Sequence, residues 1–165
     1  MTGHPKQADL ESLLETLQRA DVEFIVVGGA AAVLHGAPIT TQDIDVVHRT
    51  EATNVGKLLA VLRALDARVR DLAGRDIEPD AALLAGSGQV KLTTAQGPLD
   101  LLCRLHDGRA YDDLLAHTVE MTDGTLALRV LDLPTLIEIK SATGRTRDQL
   151  VVPILVALQR EQERG

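Results

Sequence analysis

Three aspartates and a glycine pair are the residues of this sequence whose types and spacing indicate chemistry. Asp43 and Asp45 stand two positions apart in a short aliphatic run that ends at Val47. Residues i and i+2 of a strand project from the same face, with Cα atoms roughly 6.5–7 Å apart, so both carboxylates point the same way. Two like charges this close repel each other, and a divalent cation such as Mg²⁺ or Mn²⁺ relieves the repulsion through oxygen ligands.

Asp100 is the third acid. It lies in a second aliphatic run, 98–103, where a carboxylate is costly unless it has a partner. If this run pairs beside the strand of Asp43 and Asp45, three carboxylates share one face. Such a group is the outline of a two-metal site for phosphoryl transfer. The alternative from the residues alone is that these acids face solvent on half-exposed strands.

The glycine pair Gly28-Gly29 ends the run 23–27 and leads directly into an alanine-rich segment. This pattern predicts a strand, a tight turn and a helix. Backbone amides at the start of such a helix, unhindered by side chains, favour a bound phosphate. A packing requirement for small residues explains the same two glycines, so the pair by itself leaves both interpretations open.

The elements that must position these residues follow from the apolar periodicity. It predicts helices at 7–20, 30–36, 52–65, 132–144 and 146–161, and strands at 23–28, 43–47, 89–94, 99–104, 118–121 and 125–130. Glycines and a proline interrupt 67–88, which is predicted mostly as loop, and Pro153 is expected to kink or divide the last helix. The order predicts a single α/β domain over 1–165 around a small mixed β-sheet flanked by helices, with a helical C-terminus. Its core would be 22–104, followed by a C-terminal hairpin and helices over 110–163.

Composition excludes several classes of function. The chain has 165 residues, with 24 acidic against 17 basic side chains and a net charge of -7, and it contains no Trp, one Tyr and one Phe. This balance argues against a DNA partner or broad RNA binding, and it leaves no aromatic platform for bases. A local RNA-binding patch is still open, drawn from Arg68, Arg70, Arg75, Arg145 and Arg147. We find no secretory signal or membrane-spanning run and expect a cytoplasmic protein.

The ordered motifs resemble those of the nucleotidyltransferase superfamily related to DNA polymerase beta. Its small members carry two glycines, or Gly-Ser, at a strand-to-helix turn, then Asp-x-Asp, then a third carboxylate on a neighbouring strand. The matching residues here are Gly28, Gly29, Asp43, Asp45 and Asp100, with His35-Gly36 and Thr40-Thr41 at the spacing of small bacterial members. The resemblance implies the nucleotidyltransferase fold and two-metal transfer of a nucleoside monophosphate from ATP or another nucleoside triphosphate. Asp43, Asp45 and Asp100 would hold the metal ions, and Asp100 would also act as general base.

A second motif lies in the C-terminal half. Lys140, Arg145, Arg147 and Asp148 resemble a basic motif of nucleotidyltransferase-type toxins from abortive-infection and toxin–antitoxin systems. With them, the resemblance implies a nucleotide-binding set of Gly28, Gly29, Ala30, Thr41, Lys140, Arg145 and Asp148. Two positions depart from the family pattern: Ala30 stands where many relatives have a hydroxyl, and Ile39 stands where many have an arginine.

The acceptor of the nucleotide is not fixed by these residues. A tRNA end, a protein hydroxyl and a small molecule all fit the chemistry, and the second motif favours a toxin or defence role with an antitoxin-like protein partner. The competing hypothesis is a catalytically silent binding module, which the two departures would allow. A third, weaker hypothesis is an antibiotic-modifying enzyme.

Overall fold

Seven strands form one mixed sheet in the computed structural model, which describes residues 9–164. The strands are β1 (Phe24–Val27), β2 (Ile44–His48), β3 (Arg68–Val69), β4 (Gln89–Thr94), β5 (Gly97–Leu102), β6 (Thr118–Asp123) and β7 (Leu126–Leu131). The helices are α1 (Leu10–Arg19), α2 (Gly28–Leu34), α3 (Ala52–Ala64), α4 (Ala81–Leu84), α5 (Tyr111–Leu114), α6 (Leu133–Ala142) and α7 (Thr146–Arg164). A 3-10 turn, Leu115–His117, follows α5.

The strand order across the sheet is β3-β4-β5-β2-β1-β7-β6. β2 is parallel to β5 and antiparallel to β1, and β1 is parallel to β7. The predicted hairpins are confirmed as β4–β5 and β6–β7, both antiparallel. A mixed sheet with helices and a helical C-terminus is therefore the observed architecture, as the residue pattern predicts.

The central strands are buried, which explains their β-branched and aliphatic composition. All four residues of β1 are buried, and Ile44, Val46 and Val47 of β2 are fully inaccessible. Helix α2 contacts β1 and β2 through Ala30, Ala31 and Ala32, also fully buried. Because alanine side chains are short, this helix lies close against the sheet, which brings the chain at its N-terminus close to the site.

The helix termini follow their sequence signals. Asp132 accepts a hydrogen bond from the Thr135 amide at 2.9 Å, and Pro134 lies in the first turn of α6. Asp9 likewise caps α1, accepting from the amide of Ser12. Because Asp132 directly follows β7, its cap starts α6 at the end of that strand.

The structure differs from the prediction in places. Helix α7 is continuous through Pro153, so of the two predicted outcomes the division is absent; Ile154, Leu155 and Leu158 on the following turns pack against the core and offset the lost backbone hydrogen bond. The segment 67–88 is mostly loop as predicted, but it also contains β3 and α4. Of the first predicted helix, residues 7 and 8 lie outside the described residues.

Candidate active site

Three acids meet on the two neighbouring central strands, β2 and β5. Asp45 of β2 and Asp100 of β5 are direct partners in the parallel strand pair, and Asp43 lies just before β2. All three line one cavity of about 450 Å³. Asp100 is buried, whereas the Asp43 side chain is 40% exposed. The structure thus brings together the three carboxylates that the sequence assigns to a common face.

The glycine turn is shaped around this group. Gly28 has φ +63°, and a Cβ built there would lie 2.5 Å from Oδ2 of Asp45. A Cβ on Gly29 would lie 2.9 Å from Oγ1 of Thr41, whose hydroxyl donates to the Asp43 carbonyl at 2.8 Å. Side chains on either glycine would displace the acids or the loop before them. The glycine pair therefore serves close packing against the site, whether or not a phosphate also binds there.

Asp45 is the least satisfied acid of the three. Its Oδ1 atom is buried and has no hydrogen-bond partner. Burial, with a smaller contribution from the neighbouring charge of Asp43, raises the pKa of Asp45 to about 6, and the positive charges of Lys140, Lys91 and Arg70 oppose that rise. A cation at Oδ1 would stabilise the ionised form that buried carboxylates otherwise resist.

Arg70 follows β3 and reaches across to the other two acids. Its guanidinium pairs closely with Oδ1 of Asp100 and lies 3.6 Å from Oδ2 of Asp43. The backbone amide of Arg70 donates to the carbonyl of Lys91, and Lys91 is the strand partner of Asp100. These three residues therefore form a row across β3, β4 and β5. Sequence reasoning named Arg70 only within a surface patch, and the register of these strands is the signal that would have located it.

The donor set fits a hard divalent cation, although the acids do not form a closed cage. Within residues 9–164, no three His, Cys, Asp or Glu side chains are grouped closely enough to hold a metal ion. The Arg70 guanidinium lies between Asp43 and Asp100 and contacts both. Three carboxylates on one cavity and an unpartnered buried oxygen on Asp45 suit Mg²⁺ or Mn²⁺. We therefore retain these acids as the candidate metal ligands.

The junction of α6 and α7 supplies a second cluster. Asp148 accepts hydrogen bonds from Thr143 at 2.6 Å and from Lys140 at 3.3 Å, one on each carboxylate oxygen. Burial acts to raise the pKa of Asp148, but the Thr143 hydrogen bond and the charge of Lys140 outweigh it, so the pKa lies below its ordinary value. Asp148 thus orients Lys140 at the wall of the cavity, instead of meeting a phosphate directly.

The other predicted nucleotide-binding residues divide into two groups. Gly29, Thr41, Lys140, Arg145 and Asp148 line the acid-containing cavity, and Arg147 joins them. The side chain of Ala30 is fully buried in the core, so only its backbone amide remains for a ligand. Ile39, the second departure from the family pattern, also lines the cavity, where it offers no charge to a phosphate.

A second cavity of about 420 Å³ adjoins the first. The two share the side chains of Asp45, Gln89, Lys140, Arg145 and Asp148. Half of its other lining residues are aliphatic, namely Val27, Leu102, Leu105, Leu131, Leu136 and Ile139. The acids and cations thus lie at the boundary between a polar and a partly apolar chamber. Gln89 and Lys91 are lining residues that sequence reasoning did not identify.

The arginine patch proposed for RNA is not available as such. Arg68 pairs with Asp66, Asp76 and Glu78. Arg75 pairs with Asp71, and Arg70 is engaged with the catalytic candidates. Of the five arginines, Arg145 and Arg147 line the cavity. This distribution replaces a broad basic surface with a local pair of cations.

Comparisons with known proteins bear on the fold. No family model and no curated protein sequence matches the chain. Among solved structures, the lincosamide antibiotic adenylyltransferase LnuA, bound to lincomycin, aligns with a TM-score of 0.62 at 12% identity, covering 93% of this chain and 99% of that one. A candidate nucleotidyltransferase from Thermotoga maritima aligns at 0.55 and 16% identity over 94% and 99%. The chain has the nucleotidyltransferase fold.

A further match shows how much of the chain the fold covers. ANT(2'')-Ia, solved with adenylyl-2''-tobramycin, aligns at 0.56 and 14% identity, covering 93% of this chain and 89% of that one. The nucleotidyltransferase fold therefore extends over nearly the whole chain and includes the C-terminal helices. The fold prediction is confirmed, whereas these matches give no support to a toxin–antitoxin role. No helix within residues 9–164 combines the length and apolar character needed to cross a bilayer.

Proposed function

We propose that this protein transfers a nucleoside monophosphate from a nucleoside triphosphate, such as ATP, to a hydroxyl of a small-molecule acceptor. The observation that carries the proposal is the direct opposition of Asp45 and Asp100 beside the Gly28 turn, with Lys140 and Arg145 in the same cavity. Carboxylates for cations and cations for phosphates then lie in one space. This is the arrangement that transfer from a triphosphate requires.

The aspartates and the cationic side chains would have separate roles. Asp43, Asp45 and Asp100 would hold Mg²⁺ or Mn²⁺, which when bound neutralises phosphate charge and favours loss of the acceptor proton. Lys140 and Arg145 would bind the phosphates, and Asp148 would hold Lys140 in place. Asp100, the most buried of the acids, would accept the proton of the acceptor hydroxyl. The acceptor oxygen then forms a bond to the α-phosphorus as the bond to pyrophosphate breaks.

The second cavity supports a small acceptor. Its volume of about 420 Å³ falls in the range of small-ligand pockets, roughly 300–1,000 Å³, and it adjoins the acids. Arg104, His106, Lys140 and Arg145 outnumber its acids, Asp45 and Asp148. We therefore expect a neutral or weakly charged acceptor with an apolar part, of which a lincosamide is an example, in preference to a polycationic aminoglycoside. The paired arginines give no support to a tRNA acceptor.

Transfer of label tests this proposal directly. The protein is incubated with Mg²⁺, each α-labelled nucleoside triphosphate and, separately, a lincosamide, an aminoglycoside or tRNA. We expect labelled lincosamide with the natural chain and loss of labelling with Asp45→Asn and Asp100→Asn. Asp112→Asn is the matched control, because that carboxylate is 72% exposed and lies outside both cavities. Labelling of tRNA alone would overturn the small-molecule acceptor, and an equal loss in the control would overturn the site.

A catalytically silent binding module is the second candidate. It is favoured by three observations: Arg70 lies between two of the acids, Ala30 lacks a hydroxyl, and Ile39 lines the cavity. Calorimetry of ATP binding with and without Mg²⁺ separates the candidates. Metal-dependent binding that disappears in the double variant Asp43→Asn/Asp45→Asn supports the enzyme, and its absence from the natural chain supports the silent module.

A further inference from the structure

The position of Arg70 has a consequence for how a cation enters the site. The guanidinium bridges Asp43 and Asp100, yet it makes no hydrogen bond to Asp45, whose Oδ1 stays buried and unpartnered. The Arg70 guanidinium therefore forms ion pairs with two of the three acids, Asp43 and Asp100. Lys140 and Lys91 act on Asp45 through their charge, but Oδ1 of Asp45 has no hydrogen-bond partner, so a cation that contacts all three acids would satisfy an atom that Arg70 leaves unpaired.

The side-chain contacts that hold Arg70 in place are its ion pairs with Asp43 and Asp100. Its backbone is fixed by the amide hydrogen bond to Lys91, at 2.8 Å, while its Nε is buried without a partner. The side chain is 31% exposed, so it has a route towards solvent. Between Arg70 and Asp80 the chain has no regular helix or strand. The Cα can thus stay in place while the guanidinium leaves the acids.

We propose that Arg70 is a stand-in cation, which holds Asp43 and Asp100 in the metal-free protein and is displaced when a divalent metal ion binds all three acids. The proposal rests on the proposed function in taking these acids as a metal site. It goes beyond that function by making Arg70 a competitor of the metal ion for these acids and not a phosphate-binding residue.

A competing internal cation lowers apparent metal affinity by the fraction of molecules in which the site is free. If Arg70 holds the acids in about nine molecules of ten, removing it tightens metal binding about tenfold. A purely structural arginine behaves in the opposite way, because its loss disorders the acids and weakens binding. Metal affinity in the absence of nucleotide therefore distinguishes the two roles.

The experiment titrates Mn²⁺ into the nucleotide-free full chain and measures free Mn²⁺ by electron paramagnetic resonance. We expect Arg70→Ala to lower the apparent Kd about tenfold. The matched control is Arg75→Ala, since this arginine belongs to the same loop but pairs with Asp71 and is 71% exposed. We expect the control to bind Mn²⁺ as the natural chain does. Equal or weaker binding by Arg70→Ala would overturn the proposal.

A second variant and a second readout guard against misfolding. Arg70→Lys keeps the charge but replaces the broad guanidinium by a compact ammonium group, which reaches one acid at a time, so we expect an intermediate Kd. In parallel, Mn²⁺ should raise the Tm of Arg70→Ala by more than it raises that of the natural chain. The proposed competition between Arg70 and the metal ion is contradicted if Arg70→Lys has the Kd of the natural chain, or if Mn²⁺ raises the Tm of Arg70→Ala and of the natural chain equally. If no variant binds Mn²⁺, the metal site itself fails, and the proposed function fails with it.

Discussion

The two ends of strand β2 present different solutions for a buried titratable side chain. At the first end, Asp45 faces the cavity with its Oδ1 unpartnered; at the second, His48 is fully buried with its Nδ1 unpartnered. His48 donates from Nε2 to the carbonyl of Leu84 at 2.7 Å. Burial lowers the pKa of His48 and raises the pKa of Asp45 to about 6, so in both cases burial favours the neutral form.

The difference lies in what surrounds each group. Burial lowers the pKa of His48, so the core accommodates it as a neutral imidazole hydrogen-bonded to Leu84. Asp45 faces Asp43, Lys91, Lys140 and Arg70, and at neutral pH its carboxylate is ionised and short of a partner. At the His48 end burial serves the structure of the core, whereas at the Asp45 end it leaves a carboxylate oxygen that a ligand could satisfy. Substitutions at each end of the strand separate the two cases.

The largest effect is expected for Asp45→Asn. Removing the buried charge should abolish metal-dependent nucleotide binding and lower any transfer rate by about a thousandfold. The same change should leave the metal-free protein equally stable or more stable, by about 1 kcal/mol, because an incompletely paired buried charge is lost. Urea unfolding with and without Mg²⁺ measures the effect on stability, and calorimetry with ATP measures the effect on binding. If Asp45→Asn instead lowers the stability of the metal-free protein, Asp45 has a structural role, as His48 has.

Gly28→Ala should disturb the same end of the strand through packing. The new Cβ would lie 2.5 Å from the Asp45 carboxylate, at a backbone φ of +63°. We expect a loss of about 2–4 kcal/mol in the free energy of unfolding, combining backbone strain with the steric clash. Gly36→Ala is the control, since it has φ +100° but no atom within 4 Å, and should show the backbone component alone. Equal losses would show that Gly28 serves only the turn.

His48 should make stability depend on pH at the other end. Because its folded-state pKa lies below the ordinary value of 6.5, its contribution is fully present above that value and is lost as pH falls below it. The slope for one proton is at most about 1.4 kcal/mol per pH unit. Urea titrations between pH 8 and pH 5 measure it, and His48→Gln should flatten this component. An unchanged slope in the variant would assign the pH dependence to other groups.

The smallest effect is expected for Thr143→Val. It removes the hydroxyl that donates to Asp148 at 2.6 Å, so the pKa of Asp148 should move up towards its ordinary value, with a loss of about 1 kcal/mol in stability at neutral pH. Carboxyl chemical shifts followed through a pH titration report this change. Thr118→Val, whose hydroxyl bonds the Leu115 carbonyl outside both cavities, is the control. An unmoved Asp148 would show that Lys140 alone keeps it ionised.

The sequence predicted the acids and the glycine turn because strand periodicity and turn chemistry are local properties. Asp45 and Asp100 could be placed on one face only on the condition that β2 and β5 are neighbours, which the structure meets. Arg70 could not be found in this way, since it follows a two-residue strand in a segment without periodicity. Pro153 is the opposite case: the helix is not divided there, because the tertiary packing of Leu155 outweighs a strong local signal.

The pairing of Asp45 with Asp100 joins positions 55 residues apart along the chain through strand register alone. The turn at Ala95 and Gln96 sets the register of β5 against β4, because Thr94 and Gly97 close the hairpin around it. Side chains alternate between the faces of a strand, so inserting or deleting one residue between Gly97 and Asp100 would exchange the carboxylate for a leucine. The same change would move Leu99 and Leu101 out of the core and the carboxylate into it, so a length change in β5 should remove the site and destabilise the sheet together.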